Sequence, residues 1–329
     1  MRAWLSLLVG LGIAAFPSSF ALAGPIAYIN GGAVLSVIDT ATNAQFDWIV
    51  AGHGARGVAV DPTGARVYLA SLDSRNVTVI STANDRVVTT IDLNRNPAFG
   101  VAIGRDSARG YVTLPYANRV AVFDTATNVV VGSVDVGAFP QGVAASPTES
   151  RIYVANYMSG SVSVIDTNTN SVIATVVVGG GAYGITVGPD GRRVYVAGSS
   201  APNCISVIDT ASNTLAGSVQ IGRRCAGIAV NPAGTRVYVT HGPSDDSLSI
   251  IDTSTNAVVA NVGVGRGPQG VAANPAGTRV YVANDLSSDV SIIDTASHAK
   301  AVFGWTSRPP EQSIVDTARS LLDLGIVRV

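Results

Sequence analysis

The chain has 329 residues, of which 13% are charged and 47% hydrophobic, and its formal net charge at pH 7 is −1. A charge so close to zero gives no global field that would attract nucleic acid or a membrane surface. No apolar segment approaches the roughly 20 residues that a membrane-spanning helix needs.

The N-terminus has the pattern of a secretory signal peptide. Arg2 supplies a positive charge, residues 5–16 form an apolar stretch, and Ala21-Leu22-Ala23 matches a small-x-small cleavage site. We therefore predict that residues 1–23 are removed and that the mature chain, starting near Gly24, is exported to the periplasm or secreted.

The rest of the chain repeats one short pattern. Near-copies containing a Val-Tyr-Val-like segment start at Gly57, Gly100, Gly142, Gly184, Gly227 and Gly270, at intervals of 42 or 43 residues. A second landmark, Ile-Asp-Thr or a close variant, ends at Thr40, Thr82, Thr125, Thr167, Thr210, Thr253 and Thr295. A period of 40–45 residues with four strand-like segments is typical of a β-propeller. We predict an all-β fold, a seven-bladed β-propeller of four-stranded antiparallel blades, as one domain over residues 24–329.

Each blade contains a regularly placed arginine, tyrosine and aspartate. The arginines that open the second strands are Arg66, Arg109, Arg151, Arg193, Arg236 and Arg279, and the acids 15 or 16 residues later are Asp124, Asp166, Asp209, Asp252 and Asp294, with Ser81 in the remaining blade. A hairpin would place both groups at the same end of adjacent strands, which predicts a cross-strand ion pair. The repeated tyrosines, such as Tyr153, are assigned to packing.

These segments carry a family resemblance. Tyr153-Val-Ala-Asn, Tyr238-Val-Thr-His, Tyr111-Val-Thr-Leu and Tyr281-Val-Ala-Asn, each followed by a Val-x-Val/Ile-Ile/Phe-Asp-Thr segment, resemble YVTN-type β-propeller repeats. The resemblance covers nearly all of the mature chain and implies an exported seven-bladed propeller. Its shape would be related to lactonases and to quinoprotein and nitrite-reductase propellers. The repeat itself carries no catalytic residue that could be transferred.

The first blade needs a strand from elsewhere to close the ring. Residues 26–56 supply its second, third and fourth strands but no first, so we predict that the C-terminal tail, residues 306–329, completes it. Two segments remain open for this role, Ser313-Ile-Val-Asp and Gly325-Ile-Val-Arg-Val. A short helix-like pattern between them favours the second.

The two cysteines, Cys204 and Cys225, fall near the start of a third strand and after the following fourth strand. In an exported protein this placement favours a disulfide, which would close a loop of about 20 residues and contribute roughly 3 kcal/mol. Two free buried thiols are the alternative.

The sequence motifs for catalysis, metal binding and nucleotide binding lack the structural surroundings that each function requires. Gly-x-Gly-x-x-Gly occurs at residues 52–57, 179–184 and 265–270, but each copy joins two predicted blades and precedes no helix. His53, His241 and His298 lack metal-ligand spacing. Asp245, Asp246, Asp285 and Asp289 form either a solvated loop pair or a surface cation site. We predict no catalytic residue, no metal and no cofactor.

The loops whose sequences differ between repeats lie on one predicted face of the disc. Because the scaffold needs the same residues in every blade, these differences indicate where the protein has a functional site. The candidate ligand-binding residues there are Arg56, Arg95, Tyr116, Phe139, Tyr157, Tyr183, Arg223, Arg224, Arg266 and Arg308. The junction arginines are opposed only by Glu311 and would focus a positive potential.

The sequence therefore favours an exported, monomeric, non-catalytic recognition protein whose variable face binds an anionic surface polymer or a protein partner. The alternative is a periplasmic or secreted propeller enzyme, either a lactonase-like hydrolase or a quinoprotein-type oxidoreductase, and it rests on fold analogy alone.

Overall fold

The computed structural model describes residues 4–7, 15–16, 26–31, 34–199, 203–242 and 245–304. These residues form strands and a single 3₁₀ turn, Pro115–Ala117, and no helix among them is long and apolar enough to cross a membrane.

The strands group into seven sheets, one for each blade, in chain order. Blade 1 contains β1 (Trp4–Leu7), β2 (Ala15–Phe16), β3 (Ile26–Asn30), β4 (Val34–Asp39) and β5 (Ala44–Val50). Blade 2 contains β6 (Ala55–Val60), β7 (Arg66–Ser71), β8 (Asn76–Ser81) and β9 (Arg86–Asp92); blade 3 contains β10 (Val101–Ile103), β11 (Arg109–Leu114), β12 (Arg119–Asp124) and β13 (Val129–Asp135). Blade 4 contains β14 (Pro140–Ala145), β15 (Arg151–Asn156), β16 (Ser161–Asp166) and β17 (Ser171–Val177); blade 5 contains β18 (Ala182–Val187), β19 (Arg193–Gly198), β20 (Asn203–Asp209) and β21 (Thr214–Gln220). Blade 6 contains β22 (Cys225–Val230), β23 (Arg236–His241), β24 (Ser247–Asp252) and β25 (Ala257–Gly263); blade 7 contains β26 (Pro268–Ala273), β27 (Arg279–Asn284), β28 (Asp289–Asp294) and β29 (Lys300–Gly304).

The seven-bladed all-β prediction is confirmed, and the repeated glycines have a packing reason. They lie at or just before the inner strands, where neighbouring blades come closest. A Cβ atom on Gly57 would lie 2.5 Å from the carbonyl oxygen of Phe99 in the next blade, and one on Gly184 would lie 2.5 Å from that of Ala226. Only glycine permits this approach.

The core lies between the blades. The second-strand tyrosines predicted to be packing residues are buried, which confirms that assignment. Tyr68 of blade 2, for example, places its ring 5.4 Å from that of Phe123 in blade 3. Each blade therefore buries its apolar face against the next one, as radial sheets require.

The repeated arginines join blades rather than strands, which corrects the ion-pair prediction. The hairpin register is as predicted, with Arg109 opposite Asp124. However, among these repeated arginines and aspartates in the described part of the chain, the predicted ion pair forms only between Arg236 and Asp252. The others donate from Nη1 to a threonine carbonyl of the next blade: Arg66 to Thr125, Arg109 to Thr167, Arg151 to Thr210, Arg193 to Thr253 and Arg279 to Thr40, at 2.6–3.3 Å.

The aspartates stabilise their own turns instead. Asp124 accepts hydrogen bonds from the backbone N–H of Thr127 at 2.8 Å and from its hydroxyl at 2.9 Å. These bonds, led by the backbone one, lower the pKa of Asp124. Asp252 accepts equivalent turn hydrogen bonds from Ser254 and Thr255 and also pairs with Arg236, so the local bonds do not exclude the ion pair.

Blade 7 packs directly against blade 1. Arg279 Nη1 donates to the Thr40 carbonyl at 2.8 Å, and Tyr281 and Ile292 share an apolar cluster with Ile29 and Ile38. These contacts link the last blade to the first.

The inner position of blade 1 is occupied by β1, which pairs in parallel with β3, Trp4 lying opposite Ile26. This strand falls within the predicted signal peptide. Residues 306–329, predicted to fill the same position, lie outside the described residues. Signal cleavage and closure by the tail both stay predictions, and they are compatible because cleavage would vacate the position of β1.

The predicted disulfide between Cys204 and Cys225 is present, with a Cα–Cα distance of 5.6 Å. Cys204 lies in β20 of blade 5, whereas Cys225 is the first residue of β22 and therefore belongs to the inner strand of blade 6. The bridge is thus a covalent link between two blades.

Candidate functional site

One face of the disc carries nearly all the departures from the repeat. We call it the junction face: it consists of the loops from second to third strands and the segments that join each outer strand to the next inner strand. The structure places these predicted site residues on it: Arg56, Arg95, Tyr116, Phe139, Tyr157, Tyr183, Arg223, Arg224 and Arg266. Arg308 lies outside the described residues.

Five aromatic side chains form a continuous arc on this face. In spatial order they are Tyr116, Phe139, Tyr157, Tyr183 and Phe99, with successive ring centroids 5.5, 6.3, 6.3 and 6.1 Å apart. Every contact is edge-to-face, the geometry that aromatic quadrupoles favour. We call this set the aromatic arc. It runs from Tyr116, which is 69% exposed, to Phe99, which is 8% exposed.

Phe139 is held in the arc by an unusual backbone conformation. Its φ is +55°, and Gly54, Gly181 and Gly267 hold positive φ at the equivalent position of other blades, three residues before the repeated glycine. A left-handed conformation costs a residue with a Cβ roughly 1–2 kcal/mol. The Phe139 N–H donates to Asn118 Oδ1 at 2.9 Å, and its carbonyl accepts from the Tyr157 N–H at 3.0 Å. Phenylalanine thus occupies a backbone conformation that glycine would adopt at a lower cost in free energy.

Two rings of the arc meet across the mouth of the central channel. Phe99 belongs to blade 3 and Tyr183 to blade 5, so their contact passes over blade 4. Tyr183 also packs at the edge of an apolar cluster that includes Phe99 itself together with residues of blades 1 and 2. Burial raises the pKa of Tyr183, against the opposing effect of the Arg56 charge, so its hydroxyl is neutral at physiological pH.

Beneath these rings lies the channel, a cavity of about 440 Å³. It is lined by inner-strand side chains such as Val101 and Ile228 and by Pro147, Pro189, Pro232 and Pro275 of the following turns. Thr186 and Asn231 are the polar side chains among the described lining residues. The channel offers packing surface, and its lining contains no titratable group.

Two polar atoms at the inner-strand ends lack hydrogen-bond partners among the described residues. They are Arg56 Nε, on a half-buried side chain, and Gln141 Oε1, whose residue is 6% exposed. Leaving a buried polar atom unpaired costs about 1–3 kcal/mol, so such atoms call for an explanation. Gln141 was not identified from the sequence. The available signal was its place immediately before Gly142, which matches Arg56, Phe99 and Tyr183 before their own glycines.

An acid on the same face offsets one of the junction arginines, and the positive potential of the whole set stays a prediction. Arg223 pairs with Asp245 at 2.7 Å, because the neighbouring strand-connecting loops bring acids to the same face. Arg95, Arg224 and Arg266 are exposed and form no ion pair among the residues described. The positive charge on the junction face is therefore carried by the arginines other than Arg223.

Among the described residues, the loop acids form no group of three or more close enough to hold a cation. Asp245 pairs with Arg223 at 2.7 Å, Asp246 accepts from the Gly267 N–H at 3.0 Å, and Asp289 accepts from Asn284 Nδ2 at 2.5 Å. These partners favour the loop interpretation.

His241 lies beside the disulfide instead of on the exposed face. It is buried, its Nδ1 lies 3.9 Å from Cys225 Sγ, and its Nε2 lies 2.7 Å from Ser249 Oγ. Burial lowers its pKa. Cys204, Cys225 and His241 are the described residues grouped closely enough to hold a metal, but the disulfide engages both sulfur atoms.

Comparison with known proteins identifies the fold. No protein-family model matches the chain, and no curated protein matches it. The chain is similar in structure to Kuenenia stuttgartiensis hydrazine synthase, with a TM-score of 0.74 and 21% identity over 80% of this chain and 90% of that one. It is also similar to a protein of unknown function from Desulfotomaculum acetoxidans DSM 771, with a TM-score of 0.72 and 18% identity over 84% and 92% of the two chains. Identities this low support the propeller fold alone, and membership of the YVTN-type family stays a prediction.

Proposed function

We propose that this protein is a non-catalytic recognition propeller that binds an anionic surface polymer along the aromatic arc of its junction face. The observation that carries the proposal is the arc itself, five rings from blades 3, 4 and 5 in unbroken edge contact. The repeat does not require these rings, because the other blades fold without them.

The strained backbone at Phe139 supports a binding role for the arc. Packing alone would be satisfied by glycine there, as it is in three other blades. Strain of this kind persists where the surrounding structure enforces it, and it clusters at functional sites. Tyr116 and Met158, each 69% exposed, add large apolar surface beside the arc. Exposed apolar surface of this kind is typical of interaction sites.

The ring-shaped units of a polysaccharide fit this surface, because their C–H faces pack on aromatic rings while their hydroxyl groups stay in water. Arg56 lies at the inner end of the arc, and Arg95, Arg224 and Arg266 lie on other junctions of the same face. Together they favour a polymer that carries carboxylate or phosphate groups. The disulfide is compatible with an exported protein, which is where such a polymer would be met.

Binding to immobilised alginate, a carboxylated polysaccharide, and to neutral dextran tests the proposal. We expect alginate to bind more tightly and its binding to weaken with salt, because exposed charges are screened over roughly 10 Å at 0.1 M. Tyr116→Ala and Tyr157→Ala should each reduce alginate affinity about twofold to tenfold, the range of one aromatic contact.

Val131→Ala is the matched control, since Val131 is 57% exposed on the outer strand of the same blade as Tyr116 but off the junction face. Unchanged alginate binding by both tyrosine variants would exclude the arc as the binding surface. Equal binding of dextran would exclude the preference for anions.

A further inference from the structure

The inner end of the aromatic arc has the features of a small, separate subsite. Arg56, Phe99, Gln141 and Tyr183 each immediately precede a repeated glycine, so they occupy equivalent positions in blades 2, 3, 4 and 5. The close approaches of Gly57 to the Phe99 carbonyl and of Gly100 to the Gln141 carbonyl place these residues on one ring around the channel mouth. We call this set the throat.

The throat is narrowed below by its own aromatic rings. The centroids of Phe99 and Tyr183 lie 6.1 Å apart although their strands belong to blades 3 and 5. The two rings therefore span the width of blade 4 and narrow the way from the junction face into the channel. A chain end or a small molecule fits such an opening better than a threaded polymer.

The throat holds one donor and one acceptor that lack a hydrogen-bond partner among the described residues. Arg56 Nε is a hydrogen-bond donor on a cation, and Gln141 Oε1 is an acceptor on a neutral amide that is more than nine-tenths buried. Ten other buried side-chain polar atoms of the described residues share this state, and these two are distinguished by their equivalent positions at the channel mouth. A ligand that reaches both would carry an anionic acceptor and a neutral donor.

The aromatic residues of the throat define the remaining feature of the ligand. Phe99 and Tyr183 occupy the positions equivalent to Arg56 and Gln141 in their own blades, so a ligand of the throat needs an apolar face as well as its polar groups. A pyranose ring with a carboxylate combines all three features: the carboxylate accepts from Arg56, a hydroxyl donates to Gln141, and the C–H face packs on the rings.

We propose that the throat binds the terminal uronic acid unit of an anionic polysaccharide. The inference rests on the proposed function, because the aromatic arc would then bind the sugar units next to the terminal one. The throat also makes a prediction of its own, because a single uronic acid should bind there without the rest of the polymer.

Titration of the protein with D-glucuronate, its methyl ester, D-glucose and glucose 6-phosphate, followed by calorimetry or ligand-observed NMR, tests the inference. We expect glucuronate to bind and the ester and glucose to bind about tenfold more weakly or less, because both lack the charge that pairs with Arg56. Glucose 6-phosphate shows whether the anion that pairs with Arg56 is a carboxylate or a phosphate. Equal binding of the phosphate or of the ester would overturn the carboxylate assignment.

Two variants separate binding from folding. Arg56→Gln should weaken glucuronate binding about tenfold, while Arg86→Gln, an exposed arginine on the outer strand of the same blade, should leave it unchanged. Gln141→Leu replaces the unpaired amide with an apolar side chain of similar size. It should keep or raise the melting temperature while weakening glucuronate binding about fivefold or more. A purely structural glutamine would show the reverse.

Failure of this inference and failure of the proposed function give different results. If alginate binds and depends on Tyr116 but glucuronate does not bind, the throat inference is wrong and the arc proposal stands. If glucuronate binds and depends on Arg56 and Gln141 but alginate does not bind, the throat stands as a small-molecule site and the polymer proposal is wrong. Glucuronate binding that neither variant changes would overturn the throat.

Discussion

Replacing Phe139 by glycine and by alanine isolates the strain that the arc requires. Both changes remove the ring and its contacts with Tyr116 and Tyr157, at centroid distances of 5.5 and 6.3 Å. Those contacts contribute roughly 0.5–1.5 kcal/mol each. The two variants differ in their backbone: alanine keeps the penalty of φ +55°, whereas glycine removes about 1–2 kcal/mol of it.

Glycine also has a greater entropy in the unfolded chain, which destabilises it by about 0.5–1 kcal/mol relative to alanine at an ordinary position. The difference leaves Phe139→Gly more stable than Phe139→Ala by about 0–1.5 kcal/mol. Equilibrium denaturation in urea measures this difference directly. In a thermal melt, 1 kcal/mol corresponds to about 2–4 °C for a large domain.

Ala138→Gly at the preceding residue is the control, since Ala138 is not among the described residues with positive φ. There glycine should destabilise the protein. Both Phe139 variants should lose alginate affinity to the same extent, because both lack the ring. The reasoning is refuted if Phe139→Ala is the more stable of the pair, or if Phe139→Gly binds alginate as well as the unmodified protein.

Three further predictions concern stability. Reducing the Cys204–Cys225 disulfide, or replacing both cysteines by serine, should lower the free energy of unfolding by about 3 kcal/mol because the bridge closes a loop of 21 residues; an unchanged urea midpoint would contradict this. Hydrogen bonds from Ser254, first from its side chain and then from its backbone, lower the pKa of Asp252 to about 2. The stabilising effect of the ionised carboxylate is therefore complete above the unfolded pKa near 4 and is lost as the pH falls towards 2. Asp252→Asn should make the free energy of unfolding depend less on pH between pH 4 and 2, and an equally steep dependence in the variant would contradict this. Deleting residues 307–329 from protein that begins at Gly24 should cost several kcal/mol, because it leaves strand edges unpaired on both sides of the seam; identical melting of the two forms would mean that the tail does not close the ring.

The sequence alone determined the blade plan. The spacing of the repeated glycines and of the Ile-Asp-Thr landmarks predicted seven blades, because strand and turn patterns are local and recur in every repeat. The same register placed Cys204 and Cys225 close enough to pair, and that bridge is present. It also placed Arg109 opposite Asp124. These features depend on neighbours within a hairpin or on adjacent strands, which the sequence order specifies.

Apart from the disulfide, the tertiary structure decided the contacts that cross between blades. The repeated arginine donates to the next blade because packing of one sheet on another brings a threonine carbonyl within reach, and no pattern inside one repeat encodes that distance. Arg223 meets Asp245 because the segment before β22 lies beside the loop between β23 and β24. The ring contact of Phe99 with Tyr183 spans non-adjacent blades and depends on the radius of the closed ring. A repeat specifies its own strands and turns, whereas a site at the axis is set by how seven repeats close around it.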